Sequence, residues 1–273
     1  MEMLAFYWPN LIAGIFLAIA LGLIGIHTIA RNQALDSFVL GQELQSGIIF
    51  SAFLLNLLKI HSDHGFHSES VISLIIAISI HVLFSFIIKK HNLIRLEFSI
   101  IYVFFLIAIN NLLMSLNPMI EGHMVNSMLG DIVTASKIES ILISVLSLVF
   151  VLFYILQFKV FLKESINIAL FSEEKQKLSH QIILVLFMSL SVHILGLVFT
   201  LSMLLMGPVV MLMTNMKNLV KSSVIIVIFN AFSVMLGFSG LGLNDRIPTS
   251  VMIVLILVLL NTSFYLFNRG RST

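Results

Sequence analysis

Three histidines fall within seven residues in the stretch Lys59–Ser70, "KIHSDHGFHSES": His61, His64 and His67, with Asp63 among them and Glu69 just after. Neutral imidazole nitrogens and carboxylate oxygens are donors for zinc and other borderline divalent cations. The i, i+3, i+6 spacing puts the three rings on roughly one side of a turn. Gly65 disfavours a regular helix, so the loop would have to fold around an ion. His61, Asp63, His64 and His67 are therefore candidate metal ligands; the alternative is a solvated polar loop that binds nothing. A second candidate is Glu43, in "LGQELQSG" (40–47) beside Gln42, Gln45 and Ser46. A carboxylate within an apolar run is costly and usually faces a cavity or the interior of a bundle. Gln42 and Glu43 are candidates for a translocation path, unless the run begins later and leaves Glu43 at an interface. His27, His81 and His193 lie in or near apolar runs, where each would hydrogen-bond a neighbouring helix or meet a substrate. Asn110, Asn111, Asn230 and Asn261 read as links between helices, and the 14 methionines as packing.

These side chains must be positioned inside a membrane. Of the 273 residues, 59% are hydrophobic and only 10% are charged, against roughly a quarter charged in a soluble domain. Runs such as "VMIVLILVLL" do not alternate as barrel strands would. The fold class is an all-α polytopic membrane protein, one transmembrane domain over 1–273 with no room for a sizeable soluble domain. The first apolar run has neither a basic front nor a small-residue cleavage site, so it is expected to be a retained span. Spans are expected at 9–30, 38–58, 71–88, 98–116, 139–158, 222–240 and 250–267. Residues 181–214 are too long for one crossing and are expected to form two, breaking near Gly196–Leu201. That makes about nine transmembrane helices.

Lysine and arginine placement sets the expected orientation. With the N-terminus outside and the C-terminus cytoplasmic, 12 of the 15 basic residues face inward; only Lys59, Lys137 and Arg246 remain outside. The histidine loop (59–70) then faces outward. The longest inner segment, 159–180, has a second half, "LFSEEKQKLS", suited to a short amphipathic surface helix. The outer segment 117–140 is expected to be partly helical.

Several chemistries are excluded. With no cysteine there is no disulfide, iron–sulfur or thiolate metal site. No glycine-rich loop ending in Lys-Ser/Thr is present, so the usual phosphate cradle for ATP is missing and any ATP-driven process needs another polypeptide. No His-Glu-x-x-His pattern marks a metalloenzyme. The chain is expected to be a non-enzymatic transport component without a resident cofactor and without a nucleic-acid partner.

Pieces of the sequence, in order, resemble the membrane subunit of zinc/manganese-type ABC importers. "FYWPNLIAGIFLAIALGLIG" (6–25) is similar to that family's opening span, followed by Arg31 where the family has an Arg-rich turn. "SMLGDIVTAS" (127–136) resembles its Phe-Gly-Asp segment. "LFSEEKQKLSHQI" (170–182) falls at its coupling helix, "LGLVFTLSMLLMGPVVMLM" (195–213) at its Gly…Leu-Leu-Ile-Pro-Ala stretch, and "GLNDRIPTSVMIVL" (242–255) at its last outer turn. The family's path-lining Asp and His fall on Phe38 and Gln42 here; only the glycine that follows is kept, as Gly47. The resemblance implies a vitamin B12-importer-like permease bundle acting as a homodimer in the inner membrane of a bacterium. It also implies a pair of cytoplasmic ATP-binding subunits and an extracytoplasmic metal-binding protein. The coupling segment would lie at about 164–180, with Phe171, Ser172, Glu173 and Glu174 as its contacts. The transported ion would be a divalent transition metal, zinc first. The alternative is a proton-coupled secondary transporter, against which the scarcity of intramembrane carboxylates counts.

Overall fold

A computed structural model describes residues 7–58, 67–91, 95–117, 120–171, 178–214, 218–240 and 248–269. The described residues form nine α-helices: α1 Trp8–Ala30, α2 Ala34–Leu57, α3 His67–His91, α4 Arg95–Leu116, α5 Glu121–Leu129, α6 Lys137–Phe171, α7 Leu178–Met213, α8 Leu219–Ser239 and α9 Thr249–Arg269. A 3₁₀ turn, Ile132–Thr134, joins α5 to α6. The expected partial helicity of the outer segment is thus α5 and this turn.

Seven of the helices are long and apolar enough to cross a bilayer, and α3 carries a shorter apolar stretch, Ile72–Phe84. Counting α3, and α7 as two halves, brings seven to the nine segments expected. The surface agrees with a lipid solvent. Large apolar side chains such as Ile141, Val145, Leu152 and Leu156 of α6 face outward, while Ser37, Ser99, Ser147, Ser191, Asn110 and Asn261 are buried. In water that inversion would be an aggregation hazard; in lipid it is the expected polarity. The chain is a multi-pass membrane protein.

At the centre lies α1, packed against α6, α7 and α8; α2 packs against α3, α4, α5 and α7. A helix apolar all round belongs inside a bundle, and α1 adds small residues at four-residue spacing: Gly14, Ala18, Gly22. Small residues let helix backbones approach closely in membranes. The Asn230 side chain of α8 uses this approach, donating to the Ala18 carbonyl of α1 (2.8 Å) and the Met203 carbonyl of α7 (3.1 Å). It links three helices, as expected of it. Asn261 instead donates to Leu257 on its own helix, so that residue is not an inter-helix link.

The turn from α1 into α2 is locally determined. Asn32 takes φ 56°, Gln33 N donates to Thr28 O (2.9 Å) and Asn32 N to Ile29 O (3.0 Å). This pair of bonds is a Schellman cap, with asparagine tolerating the left-handed position that glycine usually fills.

Three boundaries differ from expectation. First, α2 begins at Ala34 and not 38, so Glu43 sits about 14 Å into the helix. Second, 159–171 is not a loop: α6 runs unbroken for 35 residues to Phe171. No glycine or proline occurs between Lys137 and Phe171 to stop it. Third, the last four residues of the expected histidine loop, 67–70, open α3.

The break in the 181–214 region is at Gly196, where φ 81° and ψ 163° interrupt α7. Gly196 packs backbone to backbone against Gly130 (φ 45°, ψ 168°), which ends α5. Both conformations are close to glycine-only regions, and a Cβ on either residue would collide with the other segment's backbone. Thr200 bridges the break by hydrogen bonds to Gly196 O (2.8 Å) and Ser191 Oγ (2.7 Å).

Candidate functional site

The first candidate centre is built on α2. Glu43 is fully buried, and its Oε2 lies 2.7 Å from His81 Nδ1 on α3. The His81 side chain is 37% exposed, so the pair runs from the interior to the rim of the bundle. Tyr102 of α4 also bears on the Glu43 carboxylate, and its ring is stacked on Phe84 of α3 at 4.1 Å. Three helices thus converge on one carboxylate. They offer a carboxylate oxygen, an imidazole nitrogen and a phenol oxygen, a donor set that suits borderline divalent cations. The described residues hold no group of three or more His, Asp or Glu side chains placed as a metal centre.

Gln42 does not join Glu43 there. Adjacent helical residues project about 100° apart, and Gln42 is buried on a neighbouring face with its Oε1 lacking a hydrogen-bond partner. Phe38, at the position of the family aspartate, is partly exposed. His81 is the residue that sequence reasoning left unpaired. Its partner lies 38 residues away, and no local pattern points to it.

A second polar centre lies between α1 and α6. His27 Nδ1 is 2.7 Å from Ser165 Oγ, and His27 Nε2 is 2.8 Å from Tyr154 OH. Arg31 Nε donates to the same Ser165 Oγ (3.1 Å), and Arg31 Nη2 is 3.5 Å from Glu164 Oε2. Arg31 stands just past the end of α1. Burial draws its pKa below the usual arginine value, and the nearby Glu164 carboxylate opposes that shift by electrostatic attraction; the guanidinium nevertheless stays charged. The sequence does hold a signal for this cluster: His27 and Arg31 share a face at i, i+4, and Tyr154 and Ser165 share one at i, i+11.

A third feature is a pocket of about 440 Å3 beside the α7 break, of mixed polar and apolar lining that includes Leu129, Asp131, Glu139, His193 and Ile194. Asn10 of α1 pins the pocket's loop, donating to Ile132 O (2.7 Å) and Ala135 O (3.1 Å). Ser250 of α9 donates to the Leu129 and Gly130 carbonyls.

Of the loop ligands expected from sequence, His61, Asp63 and His64 lie outside the described residues; His67 begins α3. Of the expected coupling contacts, Phe171 ends α6, and Ser172, Glu173 and Glu174 lie outside the described residues.

The bundle is similar in fold to a solved structure. The match is to a chain of the solved structure of PsaBC from Streptococcus pneumoniae in complex with Fab. It has a TM-score of 0.70 and 18% identity, and covers 96% of this chain and 90% of the other. At that identity the likeness establishes the fold. No protein-family model matches the sequence, and no curated protein does.

Proposed function

We propose that this chain is the permease subunit of an ABC importer for a divalent transition-metal ion, zinc first and manganese second. The observation that carries this reading is the permease fold shared over 96% of the chain. The ordered motifs from 6–25 through 242–255 support it independently. Two copies form the path, two ATP-binding subunits engage the segment at 164–180 from the cytosol, and an extracytoplasmic protein delivers the ion. The permease contributes geometry: helices that open the path to one side at a time. Phe38 and Gln42 replace the family's aspartate and histidine, so the polar contact along α2 shifts by one residue to Glu43, completed by His81. Imidazole with carboxylate favours zinc over the harder manganese ion.

The test is uptake of zinc and of manganese by cells lacking their own importers. Wild-type chain with its ATPase should restore zinc uptake. Glu43→Gln should lower it about tenfold or more without loss of the protein from the membrane. Reversal of Glu173 and Glu174 to lysine should release the ATPase on purification. Metal uptake that proceeds with no ATPase present would overturn the proposal.

A second reading, a proton-coupled secondary transporter, draws support from one observation: a buried carboxylate hydrogen-bonded to histidine is a group that can carry a proton. Loss of uptake on adding a protonophore at constant ATP would favour it.

A further inference from the structure

Polar side chains join α1 and α6 at two places on this long interface: Ser140 donates to Asn10 (3.0 Å) near the start of both helices, and the His27–Arg31 cluster lies at the other end, where the contact has mechanical meaning. At 1.5 Å per residue, the 35 residues of α6 extend about 52 Å, whereas the hydrocarbon core is about 30 Å thick. Lys159, Lys163 and Glu164 mark the C-terminal third as the part that leaves the lipid. Tyr154 lies near that exit, and Glu164 and Ser165 lie on the emerging stem. Their partners, His27 and Arg31, sit at the very end of α1, where the Schellman cap turns the chain into α2. The helix that begins there carries Glu43.

The cluster is a continuous chain of bonds. With the His27 ring neutral and protonated on Nε2, Arg31 Nε donates to Ser165, Ser165 donates to His27 Nδ1, and His27 Nε2 donates to Tyr154. Ser165 Oγ is the hub, the one atom touching both α1 side chains. Around it the cluster has slack. The Arg31–Glu164 separation of 3.5 Å is long beside the ~2.8 Å of a charge-assisted hydrogen bond. Neither terminal nitrogen of Arg31 makes a hydrogen bond. A small shift of the α6 stem would close that pair while the Ser165 bonds hold, giving the joint two arrangements of different geometry.

We infer that the His27–Ser165–Arg31–Glu164 cluster is the joint through which displacement of the α6 stem is passed to the α1–α2 hairpin bearing Glu43, with Ser165 as its positioning residue. The inference rests on the permease reading above, since it needs a driver at the end of α6. Coupling of this kind requires an element with two arrangements, each favoured by one end; intermediacy alone would not suffice.

The experiment compares wild type, Ser165→Ala and Ser165→Thr, each purified with its ATPase and reconstituted in vesicles. Zinc uptake and ATP hydrolysis are measured on the same preparation. Ser165→Ala should hydrolyse ATP normally but move about fivefold less zinc per ATP. Ser165→Thr, which keeps the hydroxyl, should restore the ratio. A merely structural role lowers the amount of intact complex, scales both rates together and leaves the ratio unchanged; that result overturns the inference. Should Ser165→Ala fail to assemble, Tyr154→Phe removes one hydroxyl of the same chain and is read the same way. If wild type shows no ATP-driven uptake, the permease reading fails and takes this inference with it. If wild type transports and the ratio stays fixed in the variants, the inference alone fails.

Discussion

At the residue scale, the informative side chains are polar groups whose partners lie on other helices. Glu43 is the sharpest case: a carboxylate with no exposure, met by His81 and Tyr102 from two further helices. His81→Ala would leave Glu43 buried without its histidine, and an uncompensated buried acid costs several kcal/mol. His81→Gln keeps a donor and should retain the fold while lowering zinc uptake, which separates ligand chemistry from folding. The measurement is uptake normalised to protein in the membrane. Asn230 is a structural counterpart. Asn230→Ala removes bonds to both Ala18 and Met203. Inter-helix hydrogen bonds in membranes are worth about 0.6–2 kcal/mol each, so thermal unfolding in detergent should shift down measurably. Uptake by the surviving protein should stay unchanged.

At the element scale, two features set the shape: the break in α7 and the unbroken run of α6. Gly196 and Gly130 touch through their backbones, each in a conformation that glycine adopts without strain. Gly196→Ala adds about 1–3 kcal/mol of backbone strain, and the collision with the 128–130 segment adds more. This variant should fail to accumulate as folded protein, visible as loss of a single gel-filtration peak in detergent. The α6 stem makes a different prediction. The chain contains no cysteine, so single cysteines can be introduced without background. A cysteine at Leu156, 82% exposed on the lipid face, should resist a membrane-impermeant thiol reagent, and one at Ile166, 43% exposed, should react from one side of the membrane only. That side is expected to be the cytosol. Reaction at Ile166 from outside would invert the orientation and remove the driver from the stem.

At the scale of the whole molecule, the bundle has an apolar exterior and a polar seam around α1 and α2. Among the described residues, nearly every long-range side-chain bond reaches one of these two helices or the loop at 129–135. Motion of α1 therefore cannot stay local, since α6, α7 and α8 all pack on it. Under the proposed permease function, such a hub links the two access states. The corresponding prediction is that zinc uptake by the reconstituted complex depends on ATP and survives a protonophore. A secondary transporter would show the reverse.

Composition and the pattern of apolar runs by themselves determined the membrane class, the approximate positions of most apolar helices and the break near Gly196; the asparagines read as inter-helix links divided, Asn230 linking helices and Asn261 bonding its own. The first three follow from the free energy of moving residues from water to lipid and from local backbone chemistry, both of which act over a few residues at a time. The length of α6 was missed: Lys159 and Lys163 suggested a loop because charge usually marks one, although nothing in 159–171 stops a helix. What only the tertiary structure decided was pairing. Glu43 with His81, His27 with Tyr154 and Ser165, and Gly130 against Gly196 join residues 38 to 138 positions apart. A helix presents the same polar side chain to whichever neighbour packs against it, and the choice of neighbour is set by the fit of whole helical faces, which no single segment encodes.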